Sequence, residues 1–467
     1  MASALVLAGF AACKVPSVVG KTENTTLPQS FTDNRDTANS GSLPWRTFFT
    51  DENLVALIDT ALANNQELNI LMQEINISKN EIQDRKGEYL PFVNLGAGGG
   101  VEKVGRYTSQ GANDANTEIK PGKEFPEPLG DMMIGAFASW EVDIWHKLRN
   151  AKKSAALKYL STVEGRNFMA TRLIAEIAGS YYELMALDNQ LEILQNNISI
   201  QQNALEKVKA EKESARTTEL AVKKFEAEVL KNQGRQYAIR QAIVLAENRI
   251  NFLVGRYPQP VRRNSKGFPE MAPQALQSGI PSQLLQNRAD IRQAERDLEA
   301  AKLDVKVARF NFYPSLRLTA GLGFQAFSPK YIFMPESILY SLAGELAAPL
   351  INRNAITATY RSANAKQIQS VYNYERTILQ AYIEVVNQMS AIGNLAKSYE
   401  AKSKEVGALT ESIDISGVLY KSARADYMEV LMTQRDALDA RFELVENRMQ
   451  QMTALVQLYQ ALGGGWK

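Results

Sequence analysis

Cysteine and histidine occur once each in 467 residues, as Cys13 and His146. That scarcity excludes a disulfide framework, zinc sites built from His and Cys, and most Cys/His catalysis. No nucleophile–base constellation accompanies the acidic pairs Glu141/Asp143 and Asp436/Asp439, so no enzyme, metal site or cofactor is expected. Long apolar runs are missing too: no window approaches the roughly 18 residues of a membrane-spanning helix. If the chain crosses a membrane, it does so with strands. Nor is there an excess of one charge, with 53 basic against 51 acidic residues. No basic stripe marks a nucleic-acid binder. Proline is absent from residues 147–212, where the only glycines are Gly165 and Gly179.

What fills that stretch is a heptad pattern. Ile177, Leu184, Leu191, Ile198 and Leu205 recur every seven residues, with Leu187, Leu194 and Val208 three further on and Ser180 and Gln201 as polar lapses. Alternation of three and four is the seam of a left-handed coiled coil. The seam resumes in Leu220, Phe225, Val229, Ile239, Ile243, Ile250 and Leu253, and Gly255 and Pro258 stop it. Two helices thus form a long antiparallel hairpin bent at 213–218.

The second half repeats this. Ile378, Val385, Ile392, Tyr399, Val406, Ile413 and Tyr420 step by sevens outward, and Leu431, Leu438, Val445, Met452 and Tyr459 step by sevens back. The bends read alike, Ser214-Ala215-Arg216 against Ser422-Ala423-Arg424. An internal duplication follows.

Each hairpin is preceded by a helix (51 to about 86, and 281 to about 309) and a pair of segments with period two. Val93, Leu95, Ala97, Gly99 and Val101 alternate with polar or small residues. So do Ile134, Ala136, Ala138, Trp140, Val142 and Ile144; the same holds for 316–326 and 338–348. Residues 103–131 read as a long polar loop. Aromatic residues (Tyr89, Phe92, Trp140, Trp145; Phe310, Phe312, Tyr313; Phe327, Tyr331, Phe333) mark the segment ends, as girdles do at membrane interfaces. Four strands cannot close a barrel, and an open edge in lipid has no partners for its backbone. Two, three or more copies must therefore supply the rest.

The expected organisation is a segment 1–13, a tether 14–50, a first repeat 51–256 (strand pair 89–145, hairpin 147–256), a linker 257–280, a second repeat 281–462 (strand pair 313–351, hairpin 354–462) and a tail 463–467. The apolar run 1–12 ending at Cys13 is similar to a lipoprotein signal, which makes Cys13 the expected lipidated N-terminus.

Several motifs together resemble the TolC-like outer-membrane efflux factors, in particular the lipoprotein branch that works with resistance-nodulation-division pumps. They are Ile280-Pro-Ser-Gln-Leu-Leu-Gln-Asn-Arg-Ala-Asp-Ile-Arg292 with Ala294-Glu295, Trp140-Glu-Val-Asp143, Tyr427-Met-Glu-Val-Leu431 with Gln434-Arg435, and Ala461-Leu-Gly-Gly-Gly-Trp466. The resemblance covers nearly the whole chain. It implies a mainly α protein with membrane β: a homotrimer with a twelve-stranded outer-membrane barrel, four strands per chain, standing on a periplasmic α-helical barrel. It implies a periplasmic adaptor and an inner-membrane transporter as partners, and lipid as the surroundings of the strands. The adaptor-docking tips fall at Ser214, Ala215, Arg216, Ser422, Ala423 and Arg424, with alanine where the family has a turn glycine. The gate falls at Glu429, Tyr420 and Arg448; Met432 stands at a second acidic position and Ala221 at that of an acidic partner, with Glu219 nearby. Tyr420 and Arg448 are expected at about the same height. The function implied is a passive exit duct for drugs and small molecules. The alternatives are an outlet for type I protein secretion and, from another class, a soluble structural coiled coil without strand pairs.

Overall fold

The computed structural model describes residues 15–31, 37–422 and 424–466. In the first repeat the elements are α1 (Trp45–Phe48), α2 (Glu52–Asn64), α3 (Gln66–Tyr89), β1 (Phe92–Glu102), α4 (Ser109–Asp114), β2 (Glu118–Lys120), β3 (Lys123–Glu124), β4 (Leu129–Val142), α5 (Lys147–Glu213) and α6 (Glu219–Val254). In the second they are α7 (Leu284–Asn287), α8 (Ala289–Phe310), β5 (Ser315–Ala326), β6 (Ile338–Ala347), α9 (Asn354–Lys421) and α10 (Tyr427–Ala461). Helix, strand pair and long hairpin thus occur twice, and the fold is mainly helical with one principal sheet.

One compact unit comprises, of the described residues, 15–22, 75–160 and 296–372. Its sheet runs β1-β4-β5-β6, antiparallel throughout. The period-two residues meet in rows across it. Leu95 pairs with Ala136, Ala136 with Leu322 and Leu322 with Tyr340; the next row is Val93, Ala138, Ala320 and Leu342. Strand side chains alternate between faces, so these rows make one apolar face. The other face carries Asn94, Phe137, Gly321 and Ser341 in one row and Glu141, Arg317 and Glu345 in another. Among the described residues nothing covers the apolar face: Leu95 is 87% and Leu342 81% exposed.

The region 103–131 is not a plain loop. It contains α4 and the small β2–β3 hairpin, and β4 already begins at Leu129. Thr108 explains the helix, its Oγ1 accepting from the Gly111 N–H at 3.1 Å. The N-terminal segment is docked in this unit. Val15 and Val18 pack on Ala308, Phe312 and Tyr360, and the Asn364 side chain donates to the Val19 carbonyl at 2.9 Å.

The other unit comprises 23–74, 161–295 and 373 onward. Ile177, Tyr181, Leu184 and Met185 of α5 are buried with Leu54 and Ile58 of α2, Ile250 and Val254 of α6, and Met452 and Tyr459 of α10. The two polar lapses in the seam are buried as well. Gln201 accepts from Asn232 at 2.8 Å, so its amide cost is partly met inside the bundle. Leu220, by contrast, is 60% exposed and does not join the seam, which runs instead through its buried neighbours Ala221 and Val222.

Both helices expected to be continuous are broken. Asn65 and Arg288 take extended backbone conformations and separate α2 from α3 and α7 from α8. The Asn65 side chain accepts from the Leu68 N–H and donates to the Leu253 carbonyl. Arg288 donates to Asp290, Glu384 and the Ala461 carbonyl. The linker is held by Arg263, which donates to Asp188 at 2.6 and 2.9 Å and to Glu247 at 2.6 Å. In the tail, the Trp466 indole donates to the Asn287 carbonyl at 3.2 Å.

Candidate functional site

The sheet ends in aromatic clusters. At one end Trp145 lies against Tyr313, ring centroids 5.1 Å apart, and donates to the Pro314 carbonyl at 2.7 Å; Trp140 donates to the Tyr89 carbonyl. At the other, Phe324 meets Phe333 and Phe327 meets Tyr331. Rings with one polar handle, as in Trp140, Trp145, Tyr313 and Tyr331, suit a boundary between lipid and water. β1 and β6 are the two outer strands, each with one edge unpaired among the described residues. Among the described residues no helix is long and apolar enough to cross a membrane.

The bends between long helices are built alike. At the first, the Arg216 N–H reaches the Glu211 carbonyl at 2.8 Å and the Ala215 N–H the Lys212 carbonyl at 2.9 Å, with Ala215 at φ 55°. That is the Schellman closure, normally made with glycine in the left-handed position. At the second, the Arg424 N–H reaches the Leu419 carbonyl at 2.9 Å. Ala423 lies outside the described residues. Each returning helix then opens on a cap: Thr218 accepts from the Ala221 N–H, and Asp426 from Met428 and Glu429. Ser214 and Ser422 bond back to carbonyls one turn earlier, and Arg216 and Arg424 are exposed.

Near these bends the Tyr420 hydroxyl donates to Glu211 at 2.6 Å. Burial, then the Glu211 bond, push its pKa up to about 12. Glu211 thus stands as the acidic partner of Tyr420, a role that neither Ala221 nor Glu219 takes. Glu219 is tied instead to Lys212 across the bend, which holds its carboxyl below the usual range. Glu211 escaped the sequence reading because lateral register between helices far apart in sequence leaves no periodic trace.

Arg448 is not at the height of Tyr420. It lies 21 residues into α10, roughly 30 Å along the helix at 1.5 Å per residue. There it is buried, donates to the Pro269 carbonyl at 2.9 Å and to Gln451, and sits 3.7 Å over the Tyr399 ring. Within the chain it clamps the linker rather than the bend. Glu429 is exposed in the first turn of α10, as is Met432 one turn on. The acidic pairs all have structural partners. Glu141 meets Lys147 at 2.6 Å, Asp143 accepts from the Leu148 and Arg149 N–H groups, Asp436 lies 3.5 Å from Arg435, and Asp439 meets Arg235 at 2.9 Å. Cys13 lies outside the described residues.

The family model described as outer membrane efflux protein matches residues 57–256 and 280–464. The solvent efflux pump outer membrane protein SrpC of Pseudomonas putida is 27% identical over 431 residues, covering 90% of this chain and 87% of that protein. The probable outer membrane lipoprotein SilC of Salmonella typhimurium is 25% identical over 427 residues, 90% and 88% of the two chains. The open state of the Neisseria gonorrhoeae MtrE outer membrane channel superposes with a TM-score of 0.83 at 22% identity, over 97% of this chain and 98% of that one. These relatives are efflux proteins and channels, not enzymes. A soluble coiled coil without strands is excluded by the four-stranded sheet.

Proposed function

The chain belongs to the outer membrane efflux protein family, an exit duct of tripartite pumps, and from that premise we propose how its parts assemble and work. Three copies close one twelve-stranded barrel. The observation that carries this is the sheet itself: four strands, with an apolar face left uncovered and two outer edges left unpaired among the described residues. Leu230, Tyr237, Val244 and Phe252, exposed along α6, add a stripe suited to packing on a neighbouring copy. Native mass spectrometry in detergent tests the stoichiometry. Three chains are expected; a stable monomer with protected strand amides would sink the closure argument.

Ser214, Ala215, Arg216, Ser422, Ala423 and Arg424 form the rim that a periplasmic adaptor grips, and an inner-membrane transporter of the resistance-nodulation-division class loads the duct. The substrate is chosen by that transporter. Glu429 and Tyr420 regulate the entrance. Cys13 is the acylated residue that anchors the chain, in keeping with SilC being a lipoprotein. Mass spectrometry of protein from its native host tests this: a lipid-modified Cys13 is expected, and an intact Met1 in the mature protein would refute it.

A further inference from the structure

Beside the end of the sheet, within the first unit, a cavity of about 530 Å³ lies between the start of α5 and the end of α8. Arg149 and Lys153 enter it from α5, Lys306 and Arg309 from α8, and Trp145 and Phe310 supply apolar wall. No carboxylate lines it. Arg149 is partly engaged, 3.2 Å from the Tyr89 hydroxyl and 4.0 Å from Asp143. Lys153, Lys306 and Arg309 are exposed and make no ion pair or side-chain hydrogen bond among the described residues. The acidic residue on this part of α8, Asp304, is already bound to Ser154 and Lys158.

Four cations around one concavity repel one another, and an anion between them removes that repulsion. Guanidinium groups bind phosphate oxygens through paired N–H donors, while ammonium groups act as point charges. We propose that this cavity binds a phosphate group carried on an apolar body, the phosphate among Lys153, Lys306 and Arg309 and the body against Trp145 and Phe310. Two sources share that chemistry: the headgroup of an anionic lipid at the membrane boundary, and a soluble phosphate ester passing through the duct. Among the described residues, Val15 and Val18 pack on Ala308 and Phe312 and not on the residues that line the cavity.

The residues that line the cavity all come from one chain, so binding is read without transport. A failed export assay would leave the result intact, and the converse holds. Full-length protein in maltoside detergent is titrated with phosphatidylglycerol, with phosphatidylcholine of the same acyl chains as control, by native mass spectrometry. Phenyl phosphate is titrated separately by calorimetry. At least one phosphate probe should bind saturably, and Lys153→Gln/Lys306→Gln/Arg309→Gln should weaken it about tenfold or more. Phosphatidylglycerol alone assigns the lipid source, phenyl phosphate alone the soluble one, and both support the shared chemistry. Lys153→Arg/Lys306→Arg keeps the charge and should keep the affinity, which guards against a folding defect in the triple variant. Absence of saturable binding, equal binding by parent and triple variant, no preference over phosphatidylcholine without phenyl phosphate binding, or loss in the charge-conserving variant overturns the proposal.

Discussion

Asn65 and Arg288 do the same thing in the two repeats: each donates from its side chain to a carbonyl at the end of the returning helix, Leu253 at 2.9 Å and Ala461 at 3.0 Å. Each contact is paired with a left-handed glycine. A Cβ on Gly255 (φ 75°) would sit 2.6 Å from the Asn64 carbonyl oxygen, and one on Gly463 (φ 89°) 2.6 Å from that of Asn287. Gly255→Ala combines overlap with a left-handed penalty of about 1–2 kcal/mol, so its total cost should exceed that figure. The thermal midpoint followed by helical circular dichroism should fall clearly. Gly179→Ala, with nothing within 4 Å of the added Cβ, should be neutral or slightly stabilising in the same assay.

Ala215 holds a left-handed conformation that glycine adopts without strain. Ala215→Gly should therefore stabilise the first bend by about 1 kcal/mol, somewhat offset by glycine's freer unfolded chain. Hydrogen exchange should slow at the Arg216 amide, which closes the bend. Faster exchange there would contradict the account.

The raised pKa of Tyr420 has a definite sign. Folding favours the neutral phenol, so its contribution is fully present below pH 10, the ordinary tyrosine value, and is lost as pH rises through about 12. Channel conductance in planar bilayers should rise across that window and stay flatter in Tyr420→Phe, which should already conduct more at neutral pH. Identical profiles would remove Tyr420 from the gate.

Glu429 and Arg448 should separate in one experiment. Three Glu429 carboxylates brought to one axis would repel each other and attract cations, so Glu429→Gln should reduce block by divalent cations. Arg448→Ser should leave block unchanged but lower stability by about 2–4 kcal/mol, because it strips a buried cation from the Pro269 carbonyl and the Tyr399 ring. If Arg448→Ser raises conductance without loss of stability, the linker clamp is the wrong role.

Arg216→Glu with Arg424→Glu should abolish drug export while leaving oligomer formation intact. Both side chains are exposed and carry no fold contact among the described residues. Export at the parent level would make them ordinary solvated arginines.

Periodicity disclosed what is local and repeated. Most heptad positions of α5 are buried, with Leu187 and Leu191 half-buried, the dyads of the strands line up in rows, and matching bends point to the duplication. Interactions between distant segments left no such mark. Asn65 reads as a surface residue on an amphipathic helix, yet its partner carbonyl lies 188 residues away. Arg288 hides in the same way, Glu211 meets Tyr420 only through the register of helices from different repeats, and Arg448 looks like any charge on a long helix until the linker folds over it. The β2–β3 hairpin is too short and polar to alternate visibly.

The two unpaired strand edges carry a genetic consequence. A barrel shared among copies has no spare edge, so one chain with a damaged β1 or β6 spoils the whole ring it joins. Where intact and damaged alleles are expressed equally and mix freely, about one three-copy ring in eight would be wholly sound. Mutations at the edges should therefore behave as dominant, whereas loss of expression of one allele should be recessive.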